Sequence, residues 1–442
     1  MAALLSRLHH VSIHVSNAER IAAELSSKFK FNLFAARFTG RSRQLAFRKG
    51  AAVFVVNERP TQGSVGLNEG PGALDKHGPR RVDAGKRTPG GSSACLYDVS
   101  PRHPVDTVSN VCFEVEDVER SFKVLRHLGC NFLVPPTTVE DEDGPVTYSV
   151  VKSVVGNVCH TLIDKTKYRG VFLPGFDFTV KDSEGEDVSC PVTHFDHITY
   201  ACPRGTTQQV MSWYEKLFGF QRFFIDSNED VDEGFVVNQE GIGLRLTAMQ
   251  YWKCSEAGIA LPSVDKKDPD CKFVIAESLP DQGSNQVDTF LEQHQAPGVQ
   301  HIGLYTKDIV STAHTMAKAG VQFFSPPPAY YTEVGKQQEI EEAGHSPQML
   351  AQHGILLDTD LHQDPLSQTA SSENRRYLLQ VFTKPIFAED TFFLELIERR
   401  GATGFGEGNI RALWRSVQAY MENERTDSRG EGPPKTVQTA PY

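Results

Sequence analysis

Two histidines and one glutamate occupy strand-like segments that lie far apart in the sequence. His197 falls in FDHITYAC, His301 in GVQHIGLYT and Glu395 in FLELIE, so tertiary folding rather than a local finger must bring them together. Two imidazoles and one carboxylate, with open coordination positions left over, form the facial triad of non-haem iron(II) oxygenases. Such a triad leaves room for a bidentate substrate together with dioxygen. The set therefore predicts one Fe²⁺ per chain.

The first half of the chain carries a degenerate copy of this set. The matching positions are His10, Asn110 and Thr161, so one histidine is kept and an amide and a hydroxyl replace the other two donors. A single histidine on a strand is usually a structural residue whose nitrogens are satisfied by neighbours. A structural role for single histidines does not readily explain why the second half has metal-binding residue types at all three matched positions. These differences between the halves predict a metal-free first half and a metal-binding second half.

These matches rest on an internal repeat. Residues 106–130 and 298–320 share an alternating strand, an aspartate before a helical pattern and a glycine at its end. LHHVSIHV and FDHITYAC open two further copies. The four strand–helix–strand units resemble the βαβββ modules of the vicinal oxygen chelate, or glyoxalase-like, superfamily. We therefore predict an α+β fold with two half-barrel domains, residues 7–167 and 190–400, and keep a generic α+β protein as the alternative.

Four further segments stand outside the repeat pattern. Residues 60–104 are rich in glycine, proline and basic residues, which predicts a loop insertion. Residues 359–376 are polar and separate two predicted strands. Residues 401–422 include a helical pattern, and the charged, proline-bearing residues 423–442 are expected to be disordered.

Longer motifs around the three donors resemble one enzyme family. GVQHIGLYTKDI, YLLQVFTKP and DTFFLELIERRGATGFGEGNIRALW are similar to segments of the 4-hydroxyphenylpyruvate dioxygenase family. The resemblance implies that His197, His301 and Glu395 bind iron. It also implies an oxidoreductase that couples oxidative decarboxylation of an aryl-pyruvate to hydroxylation by dioxygen.

The same resemblance implies a shell of substrate-binding residues and a gating helix within residues 401–422. The substrate-binding set is Gln300, Gln380, Gln286, Phe382 and Phe405. An amide donates and accepts hydrogen bonds without bringing charge into an iron pocket. Ordinary strand pairing would also account for Gln300 and Gln380, so both explanations stay open at this point.

Three positions of the expected substrate pocket depart from the family pattern, and Arg400, Gly401, Ala402 and Thr403 stand where the family has His-Asn-His-Gln. Val274 and Ala276 stand where the family usually has proline and asparagine, and Leu246 stands where it has serine. Removing a buried amide or hydroxyl changes which polar groups of a substrate can be satisfied. We expect the substrate ring to lose a polar restraint, and we therefore predict 4-hydroxymandelate rather than homogentisate as the product from 4-hydroxyphenylpyruvate.

The lost polar groups also support a second hypothesis, a non-catalytic pseudo-dioxygenase that binds metal. An extradiol ring-cleaving dioxygenase shares the fold and the triad, but its motifs do not resemble those quoted above. A glyoxalase-type zinc or nickel isomerase usually needs a second carboxylate. Iron content and oxygen uptake that depends on an aryl-pyruvate separate these classes.

Composition argues against nucleic acid and membranes as partners. The 442 residues include 56 acidic and 45 basic side chains, for a net charge of −11, and no stretch combines basic with aromatic residues. Binding to nucleic acid is therefore not expected. Apolar runs are too short to predict a transmembrane segment. The eight cysteines form no Cys-x-x-Cys pair, which favours reduced thiols. The pattern leaves the oligomeric state open, with a homodimer as one option.

The amino-terminal segment favours a mitochondrial location. Its first acidic residue is Glu19, and Arg7 lies among Leu4, Leu5 and Leu8 in what would be a short amphipathic turn. Mitochondrial targeting segments are poor in acidic residues and carry arginine. We expect import into mitochondria, with the cytoplasm as the alternative.

Overall fold

The structure is a computed structural model of the chain. It describes residues 2–39, 42–59, 95–100, 102–178, 189–225, 229–239, 242–251, 272–280, 282–359, 376–402, 404–406 and 408–412. Most of the predicted 60–104 insertion and of the 359–376 segment lies outside the described residues. The same holds for most of the helix predicted within 401–422 and for the whole of the 423–442 tail.

Each repeat begins with a strand and a helix and continues with further strands, in the order that the sequence predicts. The strands of the first sheet are β1 (Leu5–Val15), β2 (Asn32–Phe38), β3 (Arg43–Lys49), β4 (Ala52–Glu58), β5 (Thr107–Val115), β6 (Phe132–Asp141), β7 (Gly144–Lys152), β8 (Cys159–Asp164) and β9 (Asp177–Phe178). Those of the second are β10 (Val192–Ala201), β11 (Phe220–Phe223), β12 (Phe235–Gln239), β13 (Ile242–Tyr251), β14 (Lys272–Ser278), β15 (Gly298–Thr306), β16 (Leu356–Thr359), β17 (Tyr377–Phe382) and β18 (Phe393–Arg400). The helices are α1 (Ala18–Ala23), continued by a π-helical turn (Glu24–Lys28), α2 (Val118–His127), α3 (Thr207–Phe218), α4 (Gln286–His294), α5 (Ile309–Lys318), α6 (Ala329–Thr332), α7 (Val334–Glu342) and α8 (Pro347–Ala351).

Both sheets have the same topology at their centre. The first strands of the two modules, β1 and β5 or β10 and β15, pair antiparallel with each other. Each of them also pairs parallel with the last strand of its own module, which is β4, β8, β14 or β18. The two curled sheets confirm the predicted α+β fold of four βαβββ modules in two half-barrels.

Local sequence signals explain where the repeated helices begin and end. Asp117 caps α2 and Asp308 caps α5, each accepting a hydrogen bond of 2.9 Å from a backbone N–H of the first turn. Such caps satisfy donors that a helix N-terminus leaves unpaired. Gly129 and Gly320 follow the helices with φ of 87° and 98°, a backbone conformation that favours glycine.

The two halves share one apolar core. The Phe54 ring lies 5.0 Å from that of Phe195, which belongs to the other sheet. At this junction Gly50 has φ of 57°, and a Cβ on it would overlap the backbone of Thr193. The neighbouring Ala51 N–H donates a hydrogen bond of 2.6 Å to the Thr193 carbonyl. The halves therefore pack closely, and a side chain at Gly50 would separate them.

Some features differ from the sequence-based expectations. Leu5 and Arg7 lie in β1, so the fold contains a strand where we expected an amphipathic turn. The first sheet also takes in the short strand β9, which follows the predicted boundary at residue 167. The six described cysteines form no disulfide. Among the described helices, none is both long and apolar enough to cross a bilayer.

Candidate metal centre

His197, His301 and Glu395 converge on one face of the second sheet. They come from the adjacent strands β10, β15 and β18, whose register puts Thr199 opposite His301 and Gly303 opposite Glu395. Glu395 Oε2 lies 3.0 Å from His197 Nε2 and 3.7 Å from His301 Nε2. One ligand atom from each residue falls within 4.8 Å of the other two, and all three side chains are buried.

A glycine makes room for the first histidine. Gly303 lies beside His197 across the strand pair, and a Cβ on it would approach the imidazole Cε1 to 2.5 Å. No real Cβ makes so short a contact with a ring atom, so any other residue here would push the imidazole away. Gly303 stands in the motif GVQHIGLYT but was not among the predicted site residues.

A buried ion pair orients the same histidine. Asp196 Oδ1 accepts a hydrogen bond of 2.9 Å from His197 Nδ1, which leaves Nε2 directed at Glu395. Both oxygens of Asp196 also accept from Arg399, whose Nε and Nη2 lie 2.8 Å away. Outer carboxylates of this kind fix the tautomer and the ring orientation of metal-binding histidines. Sequence reasoning did not single out Asp196 or Arg399, although both stand in quoted motifs.

A chain of amides holds the glutamate. Gln380 Nε2 donates to Glu395 Oε1 at 2.8 Å, and Asn409 Nδ2 donates to Gln380 Oε1 at 2.9 Å. Tyr330 Oη donates in turn to Asn409 Oδ1 at 3.2 Å. Glu395 Oε1 is thereby engaged, and Oε2 remains directed at the two imidazoles. Asn409, in the motif GFGEGN, is a further residue that sequence reasoning did not single out.

Charge is concentrated around this cluster. Burial alone would lower the pKa of His197, but Glu395 and Asp196 outweigh it and raise that pKa to about 9. Burial and the neighbouring His197 lower the pKa of His301. A buried carboxylate facing two imidazole nitrogens favours positive charge between them. Imidazoles and a carboxylate suit a divalent transition metal, so the donor set fits the iron that the sequence predicts.

A mostly apolar cavity with an empty volume of about 410 Å³ opens beside the donors. Its walls are His197, Thr199, Ile225, Leu246, Val274, His301, Gln380, Phe382, Glu395, Phe405 and Ile410. Phe405 meets the His197 ring edge-on, with 5.1 Å between the ring centres. Thr199 Oγ1 is buried without a hydrogen-bond partner among the described residues, so its hydroxyl is available to a molecule in the cavity.

The predicted substrate-binding residues fall into two groups. Gln380, Phe382 and Phe405 line the cavity, whereas Gln300 and Gln286 do not. Gln300 Oε1 instead accepts from His301 Nδ1 at 3.2 Å, which makes it a support for that imidazole. Gln286 begins α4, and its buried Nε2 has no partner among the described residues.

Two of the three departures from the family pattern lie on the cavity wall. Leu246 and Val274 line the cavity, as the predicted change of its floor requires. Ala276 pairs with Leu246 across the strands and belongs to the same apolar cluster, but it does not line the cavity.

The first half has the same strand register as the candidate metal centre, but other residues stand at two of its three donor positions. Ser12 lies opposite Asn110 on β5, as Thr199 lies opposite His301. Asn110 Nδ2 donates to Asp98 Oδ1 and to Thr161 Oγ1, each at 2.7 Å. These polar groups satisfy one another, so the arrangement does not offer a set of open ligands.

A second group of possible ligand atoms lies nearby in His9, His10 and Cys112, again within 4.8 Å of one another. The two imidazole Nδ1 atoms already face each other at 2.7 Å. Burial raises the pKa of the Cys112 thiol well above its usual value, and a metal binds the thiolate. These contacts argue against a metal here, and the metal-free first half stays a prediction.

Comparisons with known proteins agree with the fold. Residues 194–345 match the family model described as the glyoxalase, bleomycin resistance protein and dioxygenase superfamily. A mutant of 4-hydroxymandelate synthase from Streptomyces coelicolor has a similar structure, with a TM-score of 0.67 at 21% identity over 94% of this chain and 99% of that one. The fold is therefore that of the glyoxalase-like, or vicinal oxygen chelate, proteins.

Similarity to curated sequences narrows this class to one family. The 4-hydroxyphenylpyruvate dioxygenase-like protein of Rattus norvegicus is 41% identical over 427 residues, which are 95% of this chain and 98% of the relative. The 4-hydroxyphenylpyruvate dioxygenase of Yarrowia lipolytica is 30% identical over 71% of this chain and 72% of the relative. The chain belongs to the 4-hydroxyphenylpyruvate dioxygenase family.

Proposed function

We propose that this protein is an Fe²⁺-dependent dioxygenase acting on 4-hydroxyphenylpyruvate or a close aryl-pyruvate. The observation that carries the proposal is the convergence of the buried side chains of His197, His301 and Glu395 on the wall of a mostly apolar cavity. The name of the Yarrowia lipolytica relative supports the substrate and the reaction class.

These three residues would hold the metal, which supplies the redox chemistry by which dioxygen reacts with an α-keto acid. Gln380 keeps the Glu395 carboxylate in position through a hydrogen bond from its uncharged amide. Asp196 keeps the His197 imidazole in position by accepting a hydrogen bond from His197 Nδ1. Neither support adds a free charge to the cavity, so the site holds a fixed geometry before substrate arrives.

The apolar walls serve the aromatic part of the substrate. Phe382 and Phe405 present rings on which an aryl group can stack or lie edge-on, which is the geometry that aromatic pairs prefer. Ile225, Leu246 and Ile410 complete the wall without offering hydrogen bonds. Water is poorly accommodated among such side chains, and its exclusion protects reactive species from side reactions.

We infer 4-hydroxymandelate as the product from the distribution of polar groups in the cavity. Apart from the three donors, Thr199 and Gln380 are the polar residues on its wall, and the Gln380 amide is already engaged by Glu395 and Asn409. The substrate ring is therefore held mainly by apolar contacts with Leu246 and its neighbours. Displacements of about 1 Å decide which carbon reacts. The proposal is that the benzylic carbon lies nearer the metal than the ring carbon.

The test combines metal content, oxygen uptake and product analysis. Protein loaded with Fe²⁺ is incubated with 4-hydroxyphenylpyruvate, oxygen consumption is recorded, and the products are separated by chromatography. Each of His197→Ala, His301→Ala and Glu395→Ala should abolish iron binding and oxygen uptake, because two ligands are too few to retain Fe²⁺. Thr161→Ala is the matched control from the first half. It should lower stability by about 1–3 kcal/mol through lost hydrogen bonds, yet leave iron content unchanged.

Three outcomes would each overturn a different part of the proposal. Homogentisate as the main product refutes the choice of carbon but keeps the enzyme class. Bound iron without aryl-pyruvate-dependent oxygen uptake identifies a pseudo-dioxygenase. Iron loss in Thr161→Ala together with retention in Glu395→Ala would show that the assignment of the metal centre to the second half is wrong.

A further inference from the structure

A second cavity lies where the first sheet meets β10, away from the metal centre. It has an empty volume of about 970 Å³. Basic and aromatic side chains dominate its walls, among them Arg7, Arg48, Lys165, Phe34, Phe172 and Phe195. None of the described residues that line it is acidic. A cavity of this composition matches neither an apolar core void nor a solvated charged surface.

The internal repeat explains why this cavity is basic. His9 occupies in the first half the position that Asp196 occupies in the second, and Lys165 occupies the position of Arg399. In the second half these two positions form a bidentate ion pair with both distances at 2.8 Å. In the first half the carboxylate is replaced by an imidazole. The cation is kept and the anion that would pair with it is lost.

Neighbouring protein groups neutralise the cavity only in part. Glu114 accepts from Arg7 Nη2 at 3.0 Å and lies 3.8 Å from His9 Nε2. Lys165 Nζ donates to the Phe172 carbonyl at 3.3 Å, and the Arg48 guanidinium lies over the Phe34 ring at 4.2 Å. Neither Lys165 nor Arg48 forms an ion pair with a described carboxylate. The charge of Glu114 also acts on Lys165 from beyond ion-pair distance, whereas Arg48 meets the Phe34 ring rather than a described carboxylate. A bound carboxylate would supply bidentate or charge-assisted hydrogen bonds to both cations.

The aromatic walls indicate what else such an anion carries. Phe172 is buried, stacks on His9 with 5.5 Å between ring centres, and meets Phe34 edge-on at 5.1 Å. Phe195 closes the cavity from the second sheet. These rings leave apolar and π surface next to the cations, which suits a flat aryl group better than a sugar or an inorganic anion.

We propose that this cavity is a second small-molecule site, which binds an aromatic carboxylate independently of the metal centre. The carboxylate pairs with Lys165 and Arg48, and the aryl group lies against Phe172 and Phe34. The ligand thereby replaces the internal carboxylate that the second half supplies with Asp196. Binding at this site needs no metal and involves no covalent step.

The probe is 4-fluorophenylacetate, followed by fluorine NMR in full-length protein, with 4-fluorophenylacetamide as its uncharged counterpart. We expect the acid to bind and the amide to bind at least about tenfold more weakly, because the charge-assisted contacts are lost. The double variant Arg48→Gln/Lys165→Gln should weaken binding of the acid by a similar factor. Lys167→Gln removes an exposed positive charge two residues further on and should change nothing.

Two further variants locate the site and control for folding. Leu246→Trp fills the cavity at the metal centre and should leave probe binding unchanged, because the two cavities are separate. The charge-preserving Arg48→Lys/Lys165→Arg should melt at a similar temperature to the parent and should bind the acid more tightly than the double glutamine variant, because both positive charges are kept. Equal binding of acid and amide overturns the proposal, as does no binding of the acid. Loss in Leu246→Trp with retention in the double glutamine variant would place the site at the metal centre instead.

Discussion

Replacing Asp196 with alanine should weaken both the fold and the metal centre, because one carboxylate serves two buried partners. It accepts from His197 Nδ1 at 2.9 Å and from two nitrogens of Arg399 at 2.8 Å. The side chains of Asp196 and Arg399 are only 6% and 11% exposed, so the substitution strands a buried guanidinium. Breaking a buried pair from one side costs about 3–5 kcal/mol. Losing the outer carboxylate of a metal-binding histidine costs roughly 10- to 100-fold in metal affinity.

Two measurements separate these effects. Denaturant unfolding of metal-free protein reports the free energy of unfolding, and titration with Fe²⁺ under anaerobic conditions reports affinity. Asp196→Leu combined with Arg399→Met replaces both charges with apolar groups and should recover most of the lost stability. The same double variant should not recover metal affinity, because His197 Nδ1 still lacks its acceptor. Asp232→Ala removes an exposed carboxylate in the same half and serves as the control.

Two results would contradict this role of Asp196. If Asp196→Ala stayed within about 0.5 kcal/mol of the parent, as an ordinary surface substitution does, the pair would not be a stabilising contact. If the double apolar variant bound Fe²⁺ as tightly as the parent, His197 would not depend on Asp196 for its orientation. The first result would show that the Asp196–Arg399 ion pair does not stabilise the fold. The second would show that it does not support the metal centre.

Other substitutions test separate parts of the structure. Gly303→Ala should displace the imidazole of His197 and lower iron content, measured by metal analysis, whereas unchanged iron would contradict the close approach. Thr199→Val removes the unpartnered cavity hydroxyl and should raise KM for the aryl-pyruvate several-fold with little change in iron content. Burial lowers the pKa of His160 to about 4, so the unfolded chain takes up a proton near pH 6.5 that the folded chain refuses until about pH 4. As the pH falls from 6.5 to about 4, the free energy of unfolding should therefore decrease, by up to roughly 3 kcal/mol from this residue. Denaturant unfolding of His160→Gln should show a smaller decrease over the same pH range. Mitochondrial import stays a prediction: residues 1–25 fused to a fluorescent protein should reach mitochondria, and a diffuse cytosolic signal would count against it.

The fold was predictable because each module carries local sequence signals for its strands and for the ends of its helix. Alternating apolar residues mark the strands, Asp117 and Asp308 mark helix starts, and Gly129 and Gly320 mark helix ends. The short strand β9 carries no such signal, since two residues are too few to show a period. Its pairing with β2 depends on tertiary packing, which a local pattern does not encode.

The convergence of His197, His301 and Glu395 was predictable from the repeat, but the residues that support them were not. Gln300 precedes His301 on a strand, and successive side chains on a strand point to opposite faces, so both cannot line one cavity. This rule applied at the sequence level would have removed Gln300 from the cavity wall. Arg399 and Asp196 are distant in sequence, and their contact follows only from the strand order β10, β15, β18.

The two halves show what a metal centre requires beyond its ligands. Between them the register is kept, yet the donors His301 and Glu395 become Asn110 and Thr161, and the supporting Gly303 becomes Cys112. The space that the glycine leaves for the imidazole is thus filled in the first half, in the same half that lacks the donors. Donor and support differ together because each is of use only in the presence of the other. A close approach to a histidine that binds nothing gives no benefit, and a ligand whose orientation is not fixed binds weakly. The repeat therefore separates a half in which three candidate ligands face one another from a half in which the matching residues Asn110 and Thr161 bond to each other.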